Sequence, residues 1–393
     1  MKEYFVLNLL RQIVFLPVWW LERLKKREPM TWVFGSWYGE NYSDNCRILY
    51  EYVTENCPQI NATWITRSQD VYNRLISQNR KVAFADSKEG VRICRRAKFA
   101  IISNTAHDIN QMHVNGITKI WIWHGHPLKK IVYDQPVTKR SFKETVHRLF
   151  PYSKPNADIV LNTSSFFSPY YQTAFRVPAD KVVITGYPRN DSLFKSETTP
   201  FISGLRQKYP QSRIIMYMPT FRDVMYKDKK AFDPFDGFGF DMTTFNEFLE
   251  RNNLLFLFKG HYVDIKNQKT FHNDGGRFVF VDGTMYDDLY SFIKDTDILV
   301  TDYSSIYFDY LLLRKPIILA PFDKDDYCRA SRPMYFSYDD NIEGIQAHDW
   351  NEFIDIVENN KFYTPSQGVL DKYHYYQDGN SSKRVTEYIL SLI

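Results

Sequence analysis

A cluster of carboxylate and hydroxyl side chains occupies residues 301–305, which read TDYSS. The apolar run DILV at 297–300 is typical of a buried strand, and residues 306–313 have the pattern of a short helix. Asp302, Ser304 and Ser305 therefore fall on a strand-to-helix turn, where helix amides and hydroxyls can hold phosphate oxygens. Capping of the helix start is the structural alternative for any single one of these side chains. Four polar residues in five positions favour an anion-binding turn.

A second candidate for chemistry, His124, follows the predicted strand 119–123 in the run HGHPLKK. An imidazole titrates near neutral pH and can act there as a general base. Pro127 predicts a helix that begins at that residue, and Lys129 adds a cation. A packing or capping role is the alternative for a lone histidine in a loop. The position at a strand end favours catalysis by His124, with His126 as the weaker candidate.

Strands and helices alternate along the whole chain, which predicts an α/β fold with two parallel, Rossmann-like domains facing a central cleft. The predicted strands cover residues 31–34, 62–66, 81–85, 99–103, 119–123, 159–162 and 180–185, then 214–218, 254–258, 278–281, 298–300 and 317–320. Ligands bind such sheets at the carboxyl ends of the strands. Residues that follow strands are therefore the ones in which we expect chemistry.

The residues expected at the cleft carry more positive charge and more hydrogen-bond donors than an uncharged ligand needs. The second half contributes Arg222, Lys259, His261, Asp302, Ser304 and Ser305, and the first half contributes His124. This set favours a donor with a pyrophosphate. The phosphate-binding motif GxxxxGK[ST] is absent, and no GxGxxG opens a helix. A nucleotide-diphosphate transferase is therefore favoured over a P-loop enzyme or a dehydrogenase.

Composition excludes some partners and sites. A formal net charge of +4 is too small to predict binding to nucleic acid, and the four cysteines lack the spacing of a zinc site or a disulfide framework. Since no carboxylate pair stands out as a magnesium site, we expect no cofactor and no protein-bound metal. A Mg²⁺ ion carried by the donor stays open.

The N-terminal run 4–21 is apolar but is interrupted by polar residues and Pro17, and a basic stretch follows it. This pattern favours an amphipathic helix on a membrane surface over a cleaved signal or a spanning helix. Packing on the body of the protein is the alternative. The basic insert 138–154 suits either an anionic lipid surface or plain solvent, and the loop 224–241 is long enough to be a lid.

These patterns predict four parts. They are a membrane-contact helix at 1–27, an acceptor domain at 28–188, a donor-binding domain at 189–374, and a terminal helix at 375–393 that could pack back on the first domain. The expected location is the cytoplasmic face of the cell membrane.

Five motifs in order resemble the CDP-glycerol glycerophosphotransferases that build teichoic acid and related capsular polymers. They are WHGHPLKK at 123–130, GYPRND at 186–191, MPTFRD at 218–223, KGH at 259–261 and TDYSSIYFDYLLLRKPII at 301–318. The resemblance implies a GT-B-like fold, CDP-glycerol as donor, CMP as leaving group and a membrane-bound, polyprenyl-diphosphate-linked saccharide as acceptor.

The resemblance also implies roles for individual residues. His124 would accept a proton from the acceptor hydroxyl, and His261 would hold the pyrophosphate together with Arg222, Lys259 and the serines. Asp302 would orient a neighbour or the glycerol hydroxyls. Further substrate contacts are expected at Thr220, Lys129, Asp309, Arg332, Arg189 and Asp191. For the last two, a structural turn is an equal alternative.

This chain departs from the family pattern at His126, Tyr262 and Pro333, which affects the acceptor side and the choice of polyol. Two other classes of function stay open: a GT-B glycosyltransferase that uses a nucleotide sugar, and a noncatalytic membrane-associated binding protein. The motifs do not separate glycerol from ribitol phosphate, or a primase from a polymerase. The absence of a large N-terminal module favours the primase.

Overall fold

The computed structural model describes residues 13–136, 155–220, 222, 233–260, 276–283, 285, 286 and 288–393. The chain forms two compact units. The first consists of Met1–His124, Ile131–Asp191 and Asp378–Ile393, and the second consists of Gly125–Lys130 and Ser192–Gln377.

The first unit is built on a parallel sheet of seven strands in the order β3-β2-β1-β4-β5-β6-β7. The strands are β1 (Glu28–Gly35), β2 (Asn61–Thr66), β3 (Val82–Phe84), β4 (Ala97–Ile102), β5 (Thr118–Ile122), β6 (Ile159–Asn162) and β7 (Val182–Ile184). The helices are α1 (13–22), α2 (Asp44–Asn56), α3 (Gln69–Ser77), α4 (Lys88–Arg96) and α5 (Ser168–Phe175). The buried runs predicted as strands thus form one sheet with helical connections.

The second unit contains a parallel sheet of six strands in the order β10-β9-β8-β11-β12-β13. The strands are β8 (Arg213–Met218), β9 (Leu254–Phe258), β10 (Phe278–Phe280), β11 (Ile298–Thr301), β12 (Ile317–Leu319) and β13 (Ile345–Gln346). The helices are α6 (Pro200–Lys208), α7 (Met242–Arg251), α8 (Leu289–Ile293), α9 (Ile306–Leu311), α10 (Lys324–Ala330), α11 (Tyr338–Asn341), α12 (Trp350–Glu358) and α13 (Gln367–Tyr373). This strand order is that of a Rossmann domain. The short edge strand β13 was not predicted.

Side-chain caps explain where many helices begin. Ser68, Ser87, Thr199, Asp241 and Asp349 each precede a helix and accept a hydrogen bond from an amide of its first turn. Such caps satisfy amides that have no partner inside the helix. The Ser, Thr and Asp residues that precede these helices in the sequence therefore form capping hydrogen bonds in the structure.

The last helix, α14 (Ser381–Leu390), belongs to the first unit. Its Val385 and Ile389 are fully buried in the same core as Leu49 and Val53 of α2. The Asp191 carboxylate accepts the backbone amides of Ser381 and Ser382, both at 2.8 Å. The chain thus returns to complete the core of the first unit.

The prediction of a helix that begins at Pro127 is wrong. Residues 125–130 are not helical, and Lys129 forms an antiparallel bridge with Met334. The amide of Lys130 donates to the carbonyl of Pro333 at 2.8 Å. Backbone pairing with a distant segment replaces the helix that the local pattern favoured.

The long loop predicted at 224–241 is described only from residue 233 onward. There Phe235 stacks on Trp350 with ring centroids 5.4 Å apart, and the Trp350 indole donates to the carbonyl of Pro234 at 2.7 Å. This end of the loop is part of the hydrophobic core of the second unit. The basic insert 138–154 lies outside the described residues.

Candidate active site

The centre of the second sheet is a topological switch point. From β8 the chain adds β9 and β10 on one side, then crosses over to place β11 and β12 on the other. Open parallel sheets bind ligands in the crevice beyond the strand ends at such a point. Thr220 follows β8 and the 301–305 run closes β11, so the predicted anion-binding turn lies at this position.

Asp302 joins the two central strand ends. Its Oδ1 accepts hydrogen bonds from the amide of Thr220 at 2.7 Å and from the hydroxyl of Thr220 at 2.5 Å. Its Oδ2 lies 2.8 Å from Nη2 of Arg222. The carboxylate is almost fully buried among these partners. These contacts support the role of orienting neighbours, while contact with glycerol hydroxyls stays a prediction.

Arg222 is held between two carboxylates. Its Nε and Nη2 donate to Asp323 at 2.8 and 2.7 Å, Nη2 also pairs with Asp302, and Nη1 donates to the carbonyl of Thr220 at 2.6 Å. Burial alone would disfavour the charged guanidinium, but Asp302 and Asp323 outweigh it and raise its pKa. Because protein oxygens engage this side chain, the geometry indicates a positioning role, and direct contact with pyrophosphate stays a prediction.

Asp323 is the residue of this group that the sequence pattern did not predict. The available signal was its position just after strand β12, since polar residues that follow the strands of a parallel sheet are candidates for the binding site. Its pairing with Arg222 spans 101 positions of the chain. Local pattern alone does not predict such a partner.

A pair of tyrosines covers the guanidinium. The rings of Tyr303 and Tyr327 are stacked with centroids 3.8 Å apart, and Cζ of Arg222 lies 4.7 Å from the Tyr327 centroid. Nζ of Lys129 lies 5.2 Å from the same centroid. Burial raises the pKa of both tyrosine hydroxyls, so both are neutral near pH 7. The predicted substrate residue Lys129 is thus joined to the Arg222 cluster by an aromatic contact.

Arg332 directly precedes the segment that pairs with residues 128–130. The amide of Tyr335 donates to the carbonyl of Leu128 at 2.9 Å, and Met334 forms the bridge with Lys129. Arg332 is half-buried at the start of this segment. Its contact with substrate stays a prediction.

Ser304 and Ser305 are half-buried at the start of α9. Ser305 occupies the position before the helix but makes no side-chain cap, and Oγ of Ser304 lies 3.5 Å from the amide of Ile306, at the limit of a hydrogen bond. A Cβ atom on Gly125 would lie 2.6 Å from Oγ of Ser305. Capping therefore does not account for the two hydroxyls, and Gly125 allows the 125–130 segment to approach them closely.

Lys259 follows β9, the neighbour of β8 in the sheet. Its amide donates to the carbonyl of Tyr217 at 3.0 Å. Burial lowers the pKa of its ammonium group. A partly desolvated cation at a strand end suits an anionic ligand, whose charge would restore the ordinary pKa. His261, two residues further on, lies outside the described residues.

His126 and Asp309 lie in the interior of the second unit. Nδ1 of His126 is 3.8 Å from Oδ1 of Asp309, and the Tyr290 hydroxyl donates to Oδ2 of Asp309 at 3.0 Å. The His126 ring also packs at 5.0 Å from the ring of Phe308. These contacts give both residues a packing role, and the predicted substrate contact of Asp309 stays a prediction.

In the first unit, His124 follows β5, and its ring contacts two indole rings. The centroid of its ring is 4.0 Å from that of Trp123 and 5.0 Å from that of Trp37. The backbone carbonyl of His124 accepts a hydrogen bond from Nη1 of Arg189 at 2.7 Å. Both the ring and the main chain of the predicted base are therefore fixed by neighbours.

Arg189 is buried and binds several parts of the first unit at once. Besides the carbonyl of His124, Nη1 lies 3.1 Å from Oδ1 of Asp44, and the amide of Arg189 donates to Oδ1 of Asn45 at 3.1 Å. Nδ2 of Asn45 in turn donates to the carbonyl of Trp123 at 2.8 Å. These contacts and those of Asp191 with α14 support the structural alternative for the GYPRND motif. Direct substrate contacts of both residues stay predictions.

Trp37, Trp123 and Asn45 were not predicted as site residues from the sequence. The signal for them was present, because Trp37 and Asn45 lie in the loop and helix start after β1, another carboxyl end of the same sheet. Within the described ranges, no group of three or more His, Cys, Asp or Glu side chains is arranged to hold a metal ion.

Two α/β units with parallel sheets define a GT-B-like fold, and the second unit carries polar and charged side chains at its switch point. The wall teichoic acid polymerase TagF, in a structure of a variant soaked with CDPG, superposes with a TM-score of 0.74 at 22% identity, covering 93% of this chain and 89% of that one. The predicted fold class is confirmed.

The family described as CDP-glycerol:poly(glycerophosphate) glycerophosphotransferase matches residues 18–391, and this chain belongs to it. A teichoic acid glycerol-phosphate transferase of Staphylococcus aureus is 29% identical over 371 residues, which are 91% of this chain and 92% of the relative. A teichoic acid poly(glycerol phosphate) polymerase of Bacillus subtilis is 25% identical over 377 residues, 90% of this chain but 48% of the polymerase. The chain is therefore a glycerophosphotransferase of the teichoic acid type.

Proposed function

We propose that this protein transfers glycerol phosphate from CDP-glycerol to a hydroxyl of a membrane-bound, polyprenyl-diphosphate-linked saccharide and releases CMP. The observation that carries the proposal is the fixed position of His124. Its ring contacts two indole rings, and Arg189 holds its backbone carbonyl.

The reaction is an in-line displacement at the phosphorus that carries glycerol. The imidazole of His124 accepts the proton of the acceptor hydroxyl, the acceptor oxygen forms a bond to this phosphorus, and the bond to the bridging oxygen breaks. The bridging oxygen leaves on CMP. Because the developing charge lies on phosphoryl oxygens, positioned donors and cations supply most of the stabilisation.

The donor site that we propose has an inner and an outer part. The hydroxyls of Ser304 and Ser305, the ammonium of Lys259 and the imidazole of His261 contact the pyrophosphate. Arg222 acts behind them, since its bonds to Asp302 and Asp323 fix the two central strand ends. The positive charge of these side chains lets binding of CDP-glycerol proceed without a protein-bound metal ion.

The central test measures acceptor-dependent release of CMP from CDP-glycerol, together with transfer of a label in the glycerol moiety to the acceptor. His124→Ala should lower turnover by about 100-fold or more, because general base catalysis contributes at least this much, and the binding of CDP-glycerol should persist. His348→Ala, which removes an exposed imidazole of the second unit, is the matched control and should retain full turnover.

Other outcomes would replace the proposal. Release of UDP or GDP from a nucleotide sugar would indicate a hexose transferase of the same fold. Retention of the donor with no CMP release, at any acceptor concentration, would indicate a binding protein. The length of the product on a defined lipid acceptor distinguishes a primase from a polymerase, and a parallel assay with CDP-ribitol tests the polyol.

We further propose that α1 contacts an anionic membrane surface. Val14, Trp20, Leu21 and Leu24 are exposed on and just after this helix, Leu24 by 81%. Basic side chains follow at 23, 25 and 26. An apolar helical face with a basic flank suits a negatively charged lipid interface. Among the described residues, no helix is both long enough and apolar enough to cross a membrane.

The opposite face of α1 is anchored to the first unit. Glu22 is 1% exposed and pairs with Nε of Arg95 at 2.6 Å and with Nδ1 of His113 at 3.0 Å. One face of α1 therefore packs on the body of the protein, and we propose membrane contact for the other face. Trp20→Glu should abolish sedimentation with vesicles that contain anionic lipid, while Ile76→Glu, at an exposed apolar residue of α3, should not. Equal binding of both variants would contradict the proposal.

A further inference from the structure

The turn after β1 has an unusual backbone. Trp37, Tyr38 and Gly39 have successive φ angles of 46°, 60° and 83°. The left-handed region costs a residue with a side chain about 1–2 kcal/mol, and it is a marked outlier for bulky residues. Glycine would adopt the same angles at positions 37 and 38 without strain. Two large aromatic residues therefore occupy positions that backbone energetics alone would give to glycine.

Hydrogen bonds to the ends of strands β2 and β4 and the residues that follow them hold this turn in place. The amide of Tyr38 donates to Oδ1 of Asp108 at 2.8 Å, and the amide of Trp37 donates to Oγ of Ser103 at 3.2 Å. The carbonyl of Gly39 accepts the hydroxyl of Thr66 and the amide of Arg67, both at 2.7 Å. A strained conformation persists only when its surroundings determine it this strongly, and such strain concentrates at ligand-binding sites.

The conformation directs the two rings differently. The indole of Trp37 lies beside the imidazole of His124, with centroids 5.0 Å apart and planes inclined by 40°. The side chain of Tyr38 is 54% exposed. The turn thus places one aromatic ring against the proposed base and presents a second ring to solvent.

We propose that the turn of Trp37 and Tyr38 binds the saccharide of the acceptor. The inference rests on the proposed function, in which the attacking hydroxyl must come within hydrogen-bond distance of His124. The sugar that carries this hydroxyl then lies against the ring that flanks the base. Rings with an apolar face and a polar edge suit a ligand whose surface alternates C–H and O–H groups. The glycerol of the donor is too small to cover such a ring, so the competing ligand is the cytosine of CDP.

Trp37→Gly and Tyr38→Gly test this proposal, because each removes a ring and relieves the backbone strain at once. We expect an unchanged or raised Tm for both variants. With a water-soluble, short-chain prenyl-diphosphate-linked disaccharide as acceptor, KM for the acceptor should rise by about tenfold or more, as expected for loss of an aromatic contact worth ~1.4 kcal/mol. The Kd for CDP-glycerol should stay within about twofold. In Trp37→Gly, kcat should also fall, since the ring touches His124.

Asn79→Gly is the matched control. Asn79 is exposed, lies in the same unit and has a φ angle of 54°, so this variant also places glycine at a left-handed position but removes no aromatic ring. Its KM for the acceptor should equal that of the wild type. If Trp37→Gly lowers the Tm, KM for the acceptor is compared for Tyr38→Gly alone, because the ring of Tyr38 lies largely in solvent.

The outcomes separate the proposal from the function on which it rests. An unchanged KM for the acceptor in both glycine variants would overturn it, and a weaker Kd for CDP-glycerol with normal KM for the acceptor would assign the rings to cytosine instead. If the wild type releases no CMP in response to the acceptor, the proposed function itself fails. In that case quenching of tryptophan fluorescence by the same disaccharide, present in the wild type and lost in Trp37→Gly, still supports the binding site.

Discussion

Replacement of Arg222 by lysine separates the two roles that this residue could have. The guanidinium makes three charged hydrogen bonds to Asp302 and Asp323 at 2.7–2.8 Å. Lysine keeps the charge but lacks the planar fork that bonds to two carboxylates at once. Hydrogen bonds to charged groups contribute about 1.5–3 kcal/mol each, and removal of one partner from a buried ion pair costs about 3–5 kcal/mol.

From these values we expect Arg222→Lys to lower the free energy of unfolding by about 2–3 kcal/mol, and Arg222→Met by about 3–5 kcal/mol. Thermal unfolding followed by calorimetry measures the loss, and a unit of this size should show about 2–4 °C per kcal/mol. Arg329→Lys is the control in the same unit. Its partner Asp326 and Arg329 itself are both largely exposed, so its effect should stay within about 0.5 kcal/mol.

The same variants are assayed for binding of CDP-glycerol. A positioning role predicts that stability and affinity fall together, and that Asp323→Asn, which removes no cation, weakens donor binding in the same direction. A positioning role is refuted if Arg222→Lys unfolds like the wild type while the Kd for CDP-glycerol rises by tenfold or more. Arg222 would then contact the pyrophosphate directly, as the sequence motif implies.

Three further predictions concern single contacts. Burial raises the pKa of Asp108 to about 6 from an ordinary value near 3.8, so the folded state binds this proton more tightly than the unfolded state. The free energy of unfolding should therefore fall by about 3 kcal/mol as the pH rises from about 4 to about 6, and then level off. Asp108→Asn should flatten this pH dependence in calorimetric scans. Gly125→Ala should lower the free energy of unfolding by about 1–3 kcal/mol and should lower turnover, because the new Cβ would lie 2.6 Å from Oγ of Ser305. Adding Ser305→Gly should recover the free energy of unfolding but not the turnover. Additive losses of unfolding free energy in the double variant would contradict this contact. Asp191→Ala leaves the amides of Ser381 and Ser382 without their acceptor and should lower the free energy of unfolding by about 1–2 kcal/mol, with no change expected from Asp180→Ala at an exposed carboxylate.

The strands could be predicted from the sequence because most of them are fully buried apolar runs that end at a polar residue. Strands β6 and β9 match the predicted ranges, and β8 and β11 differ by one residue. The short strand β13 was missed, since two half-buried residues carry no such signal. The wrong helix at Pro127 has a related cause, because backbone bonds to residues 333–335 outweigh local propensity there.

The candidate site could be predicted at the level of which turns matter, though not at the level of what each side chain touches. The turn at 301–305 and His124 were identified from their positions after strands. The burial of Arg222 between two aspartates depends on pairs that are 80 and 101 positions apart. Tertiary pairing of this kind leaves no local pattern, and a cation inside it has the same sequence signature as one that faces a ligand.

The contribution of α14 to the first unit bears on how the protein forms during synthesis. Val385 and Ile389 complete a core whose other members precede residue 192, yet the ribosome must first produce the whole stretch Ser192–Gln377. At about 5–20 residues per second this delay is roughly 10–40 s. During that time the α2 side of the nascent sheet exposes apolar surface that only the final residues can cover. The core of the first unit therefore becomes complete only after the second unit has been synthesised.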